Sequence, residues 1–414
     1  MEGTEASDSN KCKNIVEDPH KLVQEARKIW LSKCDVNNAK KLYLQAIRLS
    51  KANQEAAIST DEKEKQRVKR KRKRLHENSN VLSSTEMANV IEKIALLLIQ
   101  SGKAEKAKTS LESLGYTCRL SRSVLDYSME QKVYKSHTIA YDSPCIIIDN
   151  FISESDEIAL SAVFRDPKAS YWVDHKYEIE PPTPYFSYVI PLKETNRYGF
   201  VGRLANDIFK CKHLRKKFSK LKQARFVEIW AHNRPHASGH QMHFDSDDEG
   251  NGGVRNPIMS TILYVSADSG GPSLVTSQKL HHDYLAEKGY LSFPVPNRLV
   301  AFDGKVLHGV VPGKGSPKNA KEGGRRVTVM FAFWKNIEVR YEDSPGSARP
   351  FPINSNYKWA KQLVKTEVKQ CAPRTKKLSI CAPVVIDRVY ENLAGERWNK
   401  DMGMPEYDQV YQGF

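Results

Sequence analysis

Gly239-His240-Gln241-Met242-His243-Phe244-Asp245 is the stretch on which the reading of this chain turns. On an extended strand, residues i and i+2 share a face, so His243 and Asp245 point one way while Phe244 packs the other. His308, 65 positions downstream in Val306-Leu307-His308-Gly309-Val310, supplies a third donor. Two imidazoles and one carboxylate can hold a single metal ion and leave its remaining coordination positions open. A histidine in a short triplet is as readily a hydrogen-bonded strand residue, and His281-His282-Asp283 repeats the pattern. That second triplet stands beside Tyr284 to Lys288, which reads as helix or loop, where i and i+2 do not share a face. Only 27 residues separate it from His308, too few for the strands that must intervene.

Downstream, strand-forming runs alternate with turns. Met259 to Ser266 is rich in strand formers. Gly270-Gly271-Pro272 turns into a short strand at Ser273 to Thr276, and Arg298 to Phe302 runs to Asp303-Gly304, a favoured hairpin dipeptide. Arg325 to Trp334 closes the series. Short strands at this spacing predict an antiparallel sandwich or barrel.

In this order the motifs resemble the 2-oxoglutarate/Fe(II)-dependent oxygenases, in particular their prolyl-4-hydroxylase-like branch. The resemblance covers residues 136–340. It includes the opening strand Pro144 to Ile152 and a helix start at Ser153-Glu154-Ser155-Asp156, with Ser153 as cap. It implies an α+β fold with a double-stranded β-helix (jelly-roll) core, and Fe(II) held by His243, Asp245 and His308. It further implies 2-oxoglutarate as co-substrate, with ascorbate as an accessory reductant. The family anchors the distal carboxylate of 2-oxoglutarate through a basic residue opening the last strand, and Tyr264 matches a tyrosine that assists it in some relatives. Arg326 shares a face with Thr328, Met330, Ala332 and Trp334, a mixed set suited to a pocket. Arg325 shares one with Val327, Val329, Phe331 and Phe333, an apolar set suited to packing. Arg326 is therefore the expected anchor, since a planar guanidinium grips a carboxylate with two parallel hydrogen bonds. It lies 18 residues after His308, farther than is usual in relatives, and Pro312 to Gly324 reads as an enlarged hairpin loop. Lys318, within that loop, and Arg325 remain alternative anchors.

The rest of the chain is less specific. At 414 residues, two or more units are expected. No stretch approaches the roughly 18–20 apolar residues that span a bilayer. Met1-Glu2-Gly3-Thr4-Glu5 is polar, unlike a secretory signal, and residues 1–20 are expected to be disordered. Seven cysteines without a Cys-x-x-Cys motif indicate a reducing compartment. Residues 21–125 read as helical, with two degenerate tetratricopeptide-like units: Gln24 to Ser32 with Asp35 to Ala46, and Met87 to Gln100 with Gly102 to Leu114. An ordinary pair of helical hairpins fits as well, and docking a protein partner is the expected job. A basic linker at about 60–80 separates the units; residues 61–74 hold nine Lys/Arg against three Asp/Glu, +6 of the chain's +16. Residues 68–74 suit an import receptor or a solvated charge run, giving a nuclear or cytoplasmic expectation. Residues 341–414 are expected to pack on the core, with Trp359 and Leu363 on a short helix and Val384 to Tyr390 as an extra strand.

Three functions compete on the sequence. The first is a dioxygenase hydroxylating a protein side chain or small molecule, with release of succinate and CO2. The second is an oxidative nucleic-acid demethylase, disfavoured because Ala332 stands where that branch carries a second arginine. The third is a non-catalytic metal-binding scaffold, which would not require Arg326.

Overall fold

In the computed structural model the longest strands lie at the centre of the larger sheet. The structure describes residues 18–33, 35–67, 80–128, 141–177, 185–247, 255–266, 269–317, 324–341, 346–365 and 377–414. Along the chain the strands are β1 (Cys118–Leu120), β2 (Cys145–Asp149), β3 (Tyr188–Pro191), β4 (Phe226–Pro235), β5 (His240–His243), β6 (Met259–Ser266), β7 (Ser273–Lys279), β8 (Gly289–Ser292), β9 (Leu299–Asp303) and β10 (Val306–Val310). Next come β11 (Arg325–Trp334), β12 (Arg349–Pro350), β13 (Ser379–Cys381), β14 (Val384–Ile386), β15 (Tyr390–Asn392) and β16 (Val410–Tyr411). The major sheet runs β12-β3-β4-β11-β6-β9-β2-β13, the minor sheet β14-β8-β7-β10-β5, and a small third sheet is β15-β1-β16. The chain is α+β.

β11 shows how period-two sequence makes this architecture. Val327, Val329, Phe331 and Phe333 enter a cluster with Leu160, Phe200, Leu204 and Trp359, which belong to helices Glu154–Phe164, Gly199–Lys210 and Lys358–Lys365. Met330, Ala332 and Trp334, on the other face, pack with Trp230. Helix Glu154–Phe164 starts where Ser153 Oγ accepts from the Asp156 amide at 3.3 Å, with acids in its first turn. Between the two large sheets, Ile147, Tyr264 and Phe302 meet Val275 and Val306, forming a stacked sandwich.

Two turns work differently from the sequence expectation. Asp303-Gly304 is not a hairpin turn, because β9 pairs with β2 and β6 while β10 pairs with β5 and β7. The segment after β10 is likewise no hairpin loop, since β11 lies in the major sheet. Both carry the chain across from one sheet to the other. Turn residues signal a reversal of direction but not which sheet receives the next strand.

The outer face of the minor sheet is covered. The helices Pro19–Lys28, Val36–Arg67, Ser84–Gln100 and Lys108–Ser113 place Ala39, Tyr43, Leu96, Leu97 and Leu111 in one hydrophobic cluster with Met242, Leu274, Leu291 and Leu307. Helix Ser84–Gln100 begins with a reciprocal capping box between Ser83 and Glu86. The helix after the first turn is 32 residues long, and the last unit is a 3-10 turn running into a six-residue helix. Residues beyond 341 add β13 to the major sheet, β14 to the minor sheet, and β15 and β16 to β1. Val384 to Tyr390 thus forms two strands in different sheets rather than one. The buried ion pair Arg119–Glu391, 2.7 Å, ties β1 to β15.

Candidate metal centre

β5 and β10 pair with His243 opposite His308, so alternation points both imidazoles into the sandwich while Met242 and Leu307 enter the outer cluster. Asp245 follows β5. Its Oδ1 lies 3.6 Å from His243 Nε2 and 3.6 Å from His308 Nε2. One ligand atom from each of the three residues lies within 4.8 Å of the others, and they form the one such group among the described residues. His281, His282 and Asp283 form no such group.

The donors are oriented from behind. His243 Nδ1 donates to the Gln241 carbonyl at 2.8 Å and His308 Nδ1 to the Val306 carbonyl at 3.0 Å. A carbonyl can only accept, so the protons sit on Nδ1 and both Nε2 lone pairs face Asp245. Asp245 Oδ2 accepts from Ser260 Oγ at 2.5 Å, and its main-chain oxygen accepts from Asn256 at 2.7 Å. Burial opposes ionisation of Asp245, but the imidazoles of His308 and His243 and the Ser260 hydroxyl outweigh it and hold the carboxyl at about 2. Burial also pulls His308 down to about 4, keeping it neutral at pH 7. For His243 burial is outweighed by Asp245, which raises the pKa. A neutral His308, an anionic Asp245 and two Nε2 atoms that converge on its inner oxygen fit a divalent metal.

These residues line an open cavity, together with Trp230, His232, His240, Ser273, Phe302, Arg326, Thr328 and Met330 among others. Arg326 is 3% exposed, yet among the described residues its Nε has no hydrogen-bond partner and its Nη1 reaches only the Gly271 carbonyl at 3.4 Å. Gly270, at φ +92°, lets the turn lie against the Arg326 side chain, where a Cβ would come within 3.0 Å. Across the ladder Arg326 faces Arg234. Like charges opposite one another on neighbouring strands are unfavourable, and an anionic ligand would offset them. Arg325 is occupied: its guanidinium bonds the Asn233 side chain and, at 2.6 Å, the Asn233 carbonyl. Tyr264 is fully buried, and its hydroxyl meets Ser273 Oγ at 2.7 Å, so Ser273 stands between it and the cavity. Lys318 lies outside the described residues, as does the basic run Lys69 to Arg74.

Several lining residues were missed in the sequence. Trp230 and His232 share the inner face of β4 with Glu228 and Arg234, while Val227, Ile229 and Ala231 face the helices. That alternation is readable in Phe226 to Pro235. His240 has its ring 4.7 Å from that of His243 and 5.3 Å from that of His232, and its role in the wall comes only from strand placement. Burial pushes the pKa of both His232 and His240 well down, so they face the cavity neutral.

No family model matches the chain, and no curated protein does. Among solved structures it is similar to a Pseudomonas putida prolyl-4-hydroxylase, at 15% identity and TM-score 0.30, over 48% of this chain and 97% of that one. It is also similar to a viral collagen prolyl hydroxylase from Paramecium bursaria Chlorella virus-1 in complex with 2-oxoglutarate, at 14% and 0.27, over 47% and 97%. A third is HygX from Streptomyces hygroscopicus with iron bound, at 11% and 0.32, over 52% and 96%. At such scores the functional reading rests on the cavity's own residues.

Proposed function

We propose that this protein is an Fe(II)- and 2-oxoglutarate-dependent dioxygenase that hydroxylates a protein side chain or a small molecule. The observation that carries the reading is the pairing, in one cavity, of the His243–Asp245–His308 donor set with the buried guanidinium of Arg326, whose Nε has no partner among the described residues. We read the two stacked sheets as a double-stranded β-helix whose mouth is this cavity. His243, Asp245 and His308 would hold iron(II), which together with 2-oxoglutarate supplies the oxidising power to place one oxygen atom of O2 on a substrate carbon, with succinate and CO2 as by-products.

The chain's own residues do the remaining work. Arg326 offers a two-pronged grip for the distal carboxylate of 2-oxoglutarate, giving its Nε a partner. Ser260 holds the Asp245 carboxylate by its outer oxygen and so directs the inner one. Phe302, Trp230 and Met330 wall the cavity with apolar surface that keeps water out. His232 and His240, neutral, offer hydrogen bonds to a substrate beside the open, 39% exposed side of His243. Tyr185 packs edge-on to Trp230, ring centroids 6.3 Å apart, and is half exposed, which suits it to meet a bulky substrate at the rim. The helical region is proposed to dock a protein partner, and the basic run to engage an import receptor.

Succinate formation, measured by mass spectrometry with and without Fe(II) across peptides, amino acids and methylated oligonucleotides, tests the proposal. Iron-dependent succinate stimulated by a peptide or small molecule is expected. Stimulation by methylated oligonucleotides alone would transfer the enzyme to the demethylases, and no succinate under any condition would remove the activity.

A further inference from the structure

β5 is the edge strand of the minor sheet, so among the described residues one side of its backbone has no neighbouring strand to bond. Met242, the residue before the metal-binding candidate His243, exposes both its main-chain polar groups there. Its amide donates to Gln412 Oε1 at 2.9 Å, and its carbonyl accepts from the Tyr407 hydroxyl at 3.2 Å. The same segment touches the start of β5, where a Cβ at Gly239 would run into the Phe414 ring.

The segment is itself fixed at the far side. β16 pairs in parallel with β1, Cys118 opposite Val410 and Arg119 opposite Tyr411. Tyr411 is buried, and its hydroxyl donates to the Glu92 carbonyl of helix Ser84–Gln100 at 2.5 Å. Gln412 is 8% exposed, so its contact with Met242 is shielded from competing water. A continuous path of neighbours therefore runs from the helical layer through Tyr411 and Gln412 to Met242 and His243.

We infer that residues 407–414 form a strap that sets the position of His243, with Gln412 and Tyr407 as positioning residues for the metal centre. A strand edge without such bonds can slide and twist, and a displacement of His243 relative to His308 separates the donors. The inference rests on the metal-centre reading above. It assigns the helical layer a second consequence: strain or binding on that layer reaches the metal through one side-chain amide.

Cobalt(II) binding to the full chain, followed by calorimetry and visible absorption, tests it. Gln412→Leu should weaken cobalt binding by up to about 10-fold, the lower end of the range for losing a direct outer partner of a metal ligand, and should change the absorption. Its thermal midpoint should stay near that of the wild type. Gln412→Glu keeps an acceptor for the Met242 amide and should bind as the wild type does. If Gln412→Leu does not fold, Tyr407→Phe, altered at a largely exposed ring, should show a weaker loss in the same direction. Wild-type affinity in the folded Gln412→Leu protein, or in Tyr407→Phe where it stands in, overturns the strap. A wild-type protein that binds no cobalt removes the metal centre itself.

Discussion

Arg325 and Arg326 are neighbours in sequence with opposite surroundings, one bonded to Asn233 and the other buried with an unpaired Nε. Arg326→Ala should raise the KM for 2-oxoglutarate by an amount equivalent to about 2–5 kcal/mol, since a charge-assisted contact in a desolvated pocket is lost. Arg325→Ala should leave that KM nearly unchanged and lower stability by about 1–3 kcal/mol. Steady-state kinetics beside urea unfolding separates the two, and a larger KM effect at Arg325 would contradict the face assignment. Glu228 gives a second residue-scale expectation. Its carboxyl, bonded by Ser187, is pushed by burial from 4.5 to about 7. Below pH 4.5 both folded and unfolded states hold the proton, so burial carries no ionic cost; the cost enters as pH rises towards 7 and is complete above it. Glu228→Gln should therefore stabilise the metal-free protein at pH 8 by on the order of 3 kcal/mol and hardly at all at pH 4.5. Equal gains at both pH values would show that the carboxyl is not perturbed by burial.

The strands show what the sequence made legible and what it hid. Alternation in Arg325 to Trp334 separated a helix-packing face from a cavity face, and the structure places Val327 and Phe331 against helices, with Thr328 and Met330 lining the cavity. Local pattern carries that information because side chains alternate across any strand. The same pattern cannot say which sheet a strand joins, so Asp303-Gly304 read as a hairpin turn where the chain changes sheets. His240 was invisible as a wall residue because its position depends on β5 lying beside β10, a contact between distant segments. The Gly270-Gly271 turn yields a test at this scale. A Cβ at Gly271 would collide with the Val311 carbonyl, and the Val311 amide is already bonded to Pro272 at 3.0 Å, so neither strand end can yield. Gly271→Ala should cost at least about 2 kcal/mol by urea unfolding. Gly315→Ala, at φ +67° with nothing within 4 Å of a Cβ, should cost only about 1 kcal/mol of backbone strain. Similar costs at both sites would mean that the Gly271 turn can relax.

For the whole molecule, the helical layer and the sandwich share a hydrophobic cluster, with Leu96, Leu97 and Leu111 against Met242, Leu274 and Leu307. Residues 141–414 expressed alone should expose the outer face of the minor sheet, aggregate and bind an apolar dye; a monomeric, cooperatively folding fragment would show that the cluster divides cleanly. The composition and helix periodicity made the helices legible but not this shared burial, because one-dimensional pattern does not say what an apolar stripe faces. If the three donors and Arg326 form one site for a metal and 2-oxoglutarate, as proposed, the binding of the two is coupled. An anaerobic calorimetric titration of 2-oxoglutarate, into wild type with Fe(II), wild type without metal, and Arg326→Ala with Fe(II), tests it most directly. Tight binding is expected in the first case, strong weakening in the other two, and one metal per chain. Binding that is indifferent to both the metal and Arg326 would contradict it.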